Sequence, residues 1–506
     1  MIKKLDNWLP FILLTLVGIC IFLTERQDGG AIQGSLFANT SAHGVTLSKN
    51  LMDGEHPFFM YTSRELNGGK VTYDAYNRFP VFPFLLTGIL ISPFENDTLQ
   101  IYIARQLMNI FFFLSIIVVF MLVNELTKNK YLAISVAVLT FSSFYMMTYH
   151  NMIFNDILSL LGFVIAFYCV VLAQKNKMKK SYIILLSMLS ISFGWQPYAV
   201  YLTWLLFDVI ELLFKKEITI KQKFFELFKN ASFRVTAIVV IWGVTILGLQ
   251  LLNEWRIVGG SFEDLPSVSS GLWRSGLVSA EGRTSLIWAF DWFNYLPGQL
   301  HAMVIMLIPF WPVFQVEPGI NASIFVGIVV MIFILLKFFK DKSLINKMFL
   351  IMIFSGFVWS IPMRHFVALH DFQSVFYIGF VISVFTLLLS RLNLQVWNLL
   401  AVNLTIAFLI SVSLTNYYKA PYSNPFTKQF ENIKSNLPQK SKVFFDGDRH
   451  RMVGYSKFAL DLFLSDNFFT SREEAEFIIS QNQDFNGKKI TNNTGYNLFK
   501  SDEINP

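Results

Sequence analysis

The chain has 506 residues, 54% of them hydrophobic and only 15% charged, with 54 Phe and a mean hydropathy of +0.49. That balance excludes an ordinary globular protein and points to a polytopic membrane protein. The formal net charge of +7 does not call for a nucleic-acid partner, because the Lys residues cluster in short links between apolar runs, as cytoplasmic loops do.

The first 23 residues, MIKKLDNWLPFILLTLVGICIFL, have a basic start and an apolar core, but no small-x-small cleavage site follows, so they are read as a first helix. Further candidate spans follow at 101–123, 131–148, 155–173, 181–194, 197–214, 234–252, 320–339, 347–362, 372–390 and 395–415. Each comes near the length needed to cross the hydrocarbon core, about 20 mostly apolar residues. Two more apolar runs, 79–94 and 297–314, carry three prolines each. Lys3, Lys4, Lys128, Lys130, the run 175–180, the stretch 215–234, the stretch 337–347 and Arg391 fall on one face only if both proline-bearing runs lie flat. The expected fold is therefore an all-α polytopic membrane protein with about 11 transmembrane helices. Residues 1–417 form its membrane domain, with a long first outer loop at 25–100 and a second outer segment at 253–319. Residues 418–506 form a small α/β domain outside the cytoplasm that leans on the membrane part. Within that tail KVFFDGD is strand-like, and SREEAEFIIS, with Ser471 and Glu474 at capping-box spacing, predicts a helix. Cys20 and Cys169 each sit inside an apolar run, so neither a disulfide nor a thiolate metal site is expected.

Five charged or titratable residues fall at similar depth on the outer side under this topology. Asp28 lies just past the first span and is followed by two glycines, placed to take a proton from an acceptor near a lipid headgroup; a solvated loop carboxylate is the alternative. Arg78 precedes the broken segment RFPVFPFLL and suits bidentate binding of phosphate oxygens, interfacial snorkelling being the bland alternative. Arg105 and Asn109 stand one turn apart inside a span, where an Arg needs a partner. His150 and Asp156 stand in YMMTYHNMIFNDILSLL, at the mouth of the next apolar helix. Later, VGGSFEDLPSVSSGLWRSGLVSAEGR is a Gly- and Ser-rich outer loop with Arg274 and Arg283, suited to a mobile cover over an acceptor or to a plain flexible loop. Arg364, His365, His370 and Asp371 meet at an outer junction, where they suit pyrophosphate, a metal or a hydrogen-bonded turn.

The order of these features resembles the lipid-dependent glycosyltransferases of the GT-C type, the superfamily of the protein O-mannosyltransferases and of the aminoarabinose transferases that modify lipid A. Asp28, RFPVFPFLL, IARQL, NDILSLLGFVIAFY and ISFGWQPYAVYL follow that superfamily's order over residues 8–214. The resemblance implies inverting transfer of a sugar from a polyprenyl-phosphate donor to a glycan, lipid or protein acceptor at the outer membrane face. Asp28 would be the general base and Asp156 a second carboxylate near the donor or a bound divalent cation, while Arg78, Arg105 and Arg364 would hold the donor phosphate. His150, His365, His370, Asp371 and Arg274 would be accessory or acceptor-side groups. Gly29 stands where the protein mannosyltransferases carry a second acid, which argues against that subclass. A transporter or flippase of lipid-linked saccharide would show two related halves and mid-membrane breaks, and an O-antigen ligase or polymerase would carry its large outer loop late. A bare membrane anchor for the tail leaves Arg105 and Asp156 without a task. The Asn, Lys, Ile and Phe bias suggests an AT-rich bacterial or archaeal source, with the protein in the inner or plasma membrane.

Overall fold

The computed structural model describes residues 2–24, 36–52, 56, 58–215, 219–262, 265–274, 292–310, 319–341, 343–392, 397–418, 425–447, 460–482, 488–491, 493 and 495–501. Each expected span is helical over most of its described residues. Helix α1 covers Ile2–Leu23, and α4, Asp97–Thr127, runs for 31 residues, about 46 Å at 1.5 Å per residue. That exceeds the hydrocarbon core of about 30 Å, so α4 projects beyond it at one end or both. Its start is set by Asn96, whose side chain accepts from the Leu99 amide at 3.0 Å. There follow α5 (Lys130–Phe141), a short α6 (Phe144–Tyr149), α7 (Asn155–Gln174), α8 (Lys180–Ser192), α9 (Pro197–Phe214) and α11 (Ala231–Val258), with the short α10 (Ile220–Lys229) between the last two. The later spans are α14 (Ile320–Lys340), α15 (Leu344–Ser360), α17 (Ile378–Leu389) and α18 (Trp397–Tyr418).

Among the described residues seven helical stretches are long and apolar enough to cross a membrane on length and composition, and five more are shorter apolar helices. The apolar window of α7 is 89% buried and that of α14 only 17%, so α7 is the centre of the bundle and α14 faces lipid. Contacts between the first and last spans close the bundle: Asn416 Nδ2 donates to Thr24 Oγ1 at 2.9 Å. The run expected to cross at 131–148 is broken at Ser142 and Ser143, and the span expected from 372 opens with a 3-10 turn, Asp371–Tyr377. Of the two proline-bearing runs, the first forms α3 (Phe82–Ile91), about 15 Å long and too short to cross. The second starts within α13 (Trp292–Ile305), which carries Pro297 inside it.

The loop after α1 is more ordered than its polar composition suggests. It holds α2 (Leu36–Met52) and an antiparallel hairpin of β1 (Tyr61–Asn67) and β2 (Lys70–Ala75), turned at Gly68 and Gly69, which both have positive φ. The hairpin is part of a larger sheet. The tail contributes β3 (Lys442–Phe445), β4 (Phe468–Thr470), β5 (Phe477–Ser480), β6 (Lys488–Lys489) and β7 (Asn497–Lys500), and the seven strands run in the order β2-β1-β4-β3-β5-β7-β6. Strand β1 pairs in parallel with β4, Arg64 opposite Phe468, and Arg64 donates to the Ser465 carbonyl at 3.0 Å. Helix α19 (Pro425–Ser435) packs beneath, with Phe430 stacked on Tyr496 at 5.3 Å. The helix expected in SREEAEFIIS is a correction. Arg472–Glu474 is a single 3-10 turn, and Phe477–Ser480 is the strand between β3 and β7. Glu474 accepts from Thr470 Oγ1, and Ala475 is extended, so pairing with two neighbours outweighs the local helical spacing.

A partly buried carboxylate joins tail, loop and bundle. Asp97, in the first turn of α4, pairs with Lys49 of α2 at 2.9 Å and with Lys434 of α19. Removing one partner of such a cluster strands the other charges. Asp97→Ala is therefore expected to cost about 3 kcal/mol and to lower the midpoint of thermal unfolding in detergent. It is also expected to open the segment around residues 425–435 to limited proteolysis. An unchanged midpoint and an unchanged cleavage pattern would contradict the role given to this cluster.

Candidate functional site

Asp156 lies in the first turn of α7, where a negative charge is favoured by the aligned peptide dipoles. The turn before it is pinned from several sides. The Met152 amide donates to the Tyr149 carbonyl at 3.0 Å, and the Ile153 amide donates to Ser41 Oγ of α2 at 3.1 Å. Gly44 of α2 is pressed against that turn so closely that a Cβ would stand 2.0 Å from the Ile153 carbonyl oxygen. Asn155 donates to Ser159 Oγ at 3.3 Å, and Ser159 donates to the Phe193 carbonyl at 3.0 Å, tying the mouth of α7 to the end of α8.

The carboxylate itself is 1% exposed. One oxygen, Oδ1, accepts from Gln373 Nε2 in the 3-10 turn, and Gln373 Oε1 accepts from Trp359 Nε1 of α15 at 3.2 Å. This relay fixes which end of the Gln373 amide meets the acid. The second oxygen, Oδ2, has no hydrogen-bond partner among the described residues. A buried carboxylate left in that condition is costly unless a cation or a ligand meets it.

The cation closest in role is Arg274, the last residue of α12 (Pro266–Arg274). Its guanidinium lies over the rings of Phe79 and Phe366, with centroid distances of 4.8 and 4.5 Å, and interacts with Tyr76, Arg78 and Asp156. Burial pushes this guanidinium below its usual range and the like charge of Arg78 adds to that, while Tyr76 and Asp156 favour its charged form. Its placement has two supports on one face of α11. Gln250 donates to the Phe79 carbonyl at 2.8 Å, and Glu254, one turn on, accepts from the Ser267 amide at 2.9 Å. Glu254 thereby satisfies an otherwise unpaired N–H in the first turn of α12, the helix that carries Arg274. Pro266 at the start of that helix lacks an N–H to satisfy.

Arg78 joins this group. Its guanidinium lies over the Tyr76 ring at 4.5 Å, and its carbonyl accepts from Trp195 Nε1 at 3.1 Å. Tyr76 packs on His43 of α2, with ring centroids 4.1 Å apart, and Phe79 meets Phe154 edge-on at 5.2 Å. The structure thus brings Asp156, Arg78 and Arg274 together at one end of the bundle. Arg105 is 2% exposed in α4, about two turns from its start, with Asn109 fully buried one turn on. His150 packs its ring against Phe112 at 5.4 Å, and its Nδ1 lies 2.8 Å from the Met147 carbonyl. Arg364 opens α16 (Arg364–Leu369) and acts electrostatically on Tyr295, whose hydroxyl donates to the Ser360 carbonyl at 2.7 Å. The His370 ring stacks on Phe372 at 5.0 Å. Asp28 and Arg283 lie outside the described residues, as do the side chains of His365 and Asp371. Among the described residues no group of three or more His, Cys, Asp or Glu is arranged to hold a metal ion.

Gln373, Trp359, Tyr76, Phe79 and Glu254 were not singled out from the sequence. Gln250 and Glu254, four residues apart where a span gives way to a polar loop, carried a signal in their shared helix face; the aromatic residues carried none in a chain that is 16% aromatic.

No protein-family model matches the sequence, and no curated protein matches it. Solved structures do match. ArnT from Cupriavidus metallidurans bound to undecaprenyl phosphate superposes with a TM-score of 0.62 at 10% identity, covering 97% of both chains. The chain has the GT-C fold. The oligosaccharyltransferase of Archaeoglobus fulgidus in its apo form gives a TM-score of 0.53 at 12% identity over 93% of this chain and 66% of the other, so this chain spans just under two thirds of that enzyme. In this chain the group of Asp156, Arg78 and Arg274 is built from the first loop, the mouth of the central helix, and the segment between α11 and α13. Three separate parts of the sequence meet there.

Proposed function

We propose that this integral membrane protein is an inverting glycosyltransferase that takes its sugar from a polyprenyl-phosphate donor and passes it to a glycan, lipid or protein acceptor at the outer face. The observation that carries the proposal is the buried Asp156 carboxylate, one oxygen without a hydrogen-bond partner among the described residues, beside Arg274 and Arg78. The group lies in a fold shared with an ArnT bound to undecaprenyl phosphate. The outer face is supported by the Lys clusters at the other end of the bundle.

In this reading the acceptor hydroxyl gives its proton to the carboxylate of Asp28 as its oxygen attacks the anomeric carbon. The bond from that carbon to the phosphate oxygen breaks, and the electron pair leaves with polyprenyl phosphate. Arg78 and Arg274 meet the charge that develops on the departing phosphate, with Arg105 and Arg364 as further cations of the same class. Fixed charges in a partly dehydrated cleft are worth more than in water and need no reorganisation as the bond breaks. Asp156 orients the donor and balances the two guanidiniums; were a divalent cation to take part, its free oxygen is the described atom suited to ligate it.

The test is transfer of radiolabelled sugar from a panel of polyprenyl-phosphate sugars to membrane extract by purified protein. The wild type is expected to label an acceptor. A well-folded Asp28→Asn is expected to lose about 10²- to 10⁴-fold of that rate. Asp28→Asn as active as wild type would remove the base assignment, and a folded wild type that neither transfers from nor binds any polyprenyl-phosphate donor would remove the reading itself.

A further inference from the structure

A cavity of about 520 Å³ opens at the end of α7 remote from Asp156, between α7, α8, α10 and α11. From Asp156 to Ala173 in its lining the helix runs about 26 Å, so the cavity is on the opposite side of the bundle from the candidate site. Its walls are mostly apolar, formed by residues such as Met178, Ile183, Phe233 and Ile238, and the same lining includes Lys180, Lys229 and Arg234. Among the described residues these three cations form no ion pair. The acids nearby are already engaged: Glu125 by Lys128, Lys175 and Lys177, and Glu226 by Lys215. Arg234 Nε donates to the Phe228 carbonyl at 3.1 Å. That single bond leaves the rest of its planar fork for another acceptor.

Helix α10 forms one side of the cavity. It is held at its start by a capping box between Thr219 and Gln222, and at ten residues it is too short to cross a membrane. It leaves Ile220, Phe224 and Phe225 exposed and carries Lys221, Lys223 and Lys229. A short basic helix with exposed aromatic residues lies in the plane of the membrane interface. The cavity behind it therefore opens at headgroup depth, with an apolar interior and a positive rim.

We propose that this cavity binds an anionic phospholipid, with an acyl chain in the apolar part and the phosphate on Lys180, Lys229 and Arg234. The volume lies within the usual range of ligand pockets, enough for a phosphate headgroup and part of one acyl chain with the rest of the lipid left in the bilayer. Basic pockets between membrane helices on the Lys-rich side suit anionic headgroups, and Arg adds bidentate geometry to charge. This site is independent of the sugar-transfer reading and stands or falls apart from it.

The full-length protein in a neutral detergent is titrated with phosphatidylglycerol or with phosphatidylcholine of the same chains, and retained lipid is counted by native mass spectrometry. Wild type is expected to retain phosphatidylglycerol about tenfold better. In the triple variant Lys180→Gln, Lys229→Gln, Arg234→Gln the two lipids are expected to be retained alike. Ala237→Trp, which fills the cavity without changing charge, is expected to lower retention of the anionic lipid. As a readout that needs no variant, photoreactive phosphatidylglycerol is expected to label wild-type peptides covering residues 176–184 and 228–238. Labelling confined to other segments, no preference in the wild type, or a preference kept by the triple variant would overturn the assignment. Displacement of phosphatidylglycerol by polyprenyl phosphate at lower concentration would also overturn it, by giving the site to the donor's carrier.

Discussion

Asp156→Asn is expected to lower the rate of sugar transfer by about 10²- to 10³-fold while leaving the protein folded. The substitution keeps the shape of the side chain, and the new amide oxygen still accepts from Gln373, so the relay through Trp359 is preserved. What disappears is the negative charge facing Arg274 and Arg78. Without it the two cations repel each other in a buried setting, and the donor phosphate meets a site whose charges are no longer held in place. The substitution leaves the two guanidiniums without their counter-charge and at the same time relieves a buried carboxylate whose Oδ2 has no hydrogen-bond partner among the described residues; the two effects oppose each other, so the stability of the resting protein is expected to change little. Initial rates with a polyprenyl-phosphate sugar, and the thermal midpoint in detergent, read the two effects separately. A rate within threefold of wild type would show that the charge at Asp156 is not used in transfer. A large loss of stability would show that its role is to hold the bundle together.

Asp156 was legible because a charge at the start of a long apolar run is conspicuous, and the structure gives it the helix-mouth position that the sequence implied. The spans were legible for the same reason, since helices that face lipid must be apolar over their whole length. What the sequence hid were arrangements made by contact between distant segments. Strands β1 and β4 pair across about 400 residues of chain, and neither announces its partner. SREEAEFIIS carries a helix-start pattern, yet its apolar half is needed as a strand between two others, and the sheet prevails. Gln373 stands in a stretch whose charged members drew attention, and a neutral amide becomes important only once Asp156 is seen 217 positions earlier to accept its hydrogen bond. Arg274 stood out from the sequence only as an accessory or acceptor-side cation in a polar loop. Its significance comes from Glu254 and Gln250, which hold the two sides of its clamp from a helix that the sequence marks only as a span.

That clamp sets the second large effect. Arg274→Met is expected to cost about 10²- to 10³-fold in transfer, the loss seen when one fixed group that stabilises developing charge is removed. Met keeps much of the apolar bulk between Phe79 and Phe366, so packing is largely retained and the lost quantity is charge. Arg274→Lys is expected to recover only about tenfold of that loss, because an ammonium restores the charge without the planar fork or the stacking on two rings. Glu254→Gln separates position from chemistry. Gln at that place still offers an oxygen to the Ser267 amide but loses the charge that favours the helix start, so α12 should loosen and Arg274 with it. If Glu254 acts by holding α12 and Arg274 is used mainly in the transition state, Glu254→Gln raises KM for the donor with a modest fall in kcat, whereas Arg274→Met falls mainly in kcat. A double variant no slower than Arg274→Met alone would place both residues in one unit. Additive losses would separate them, and leave the buried Glu254 with a task of its own near the end of α11.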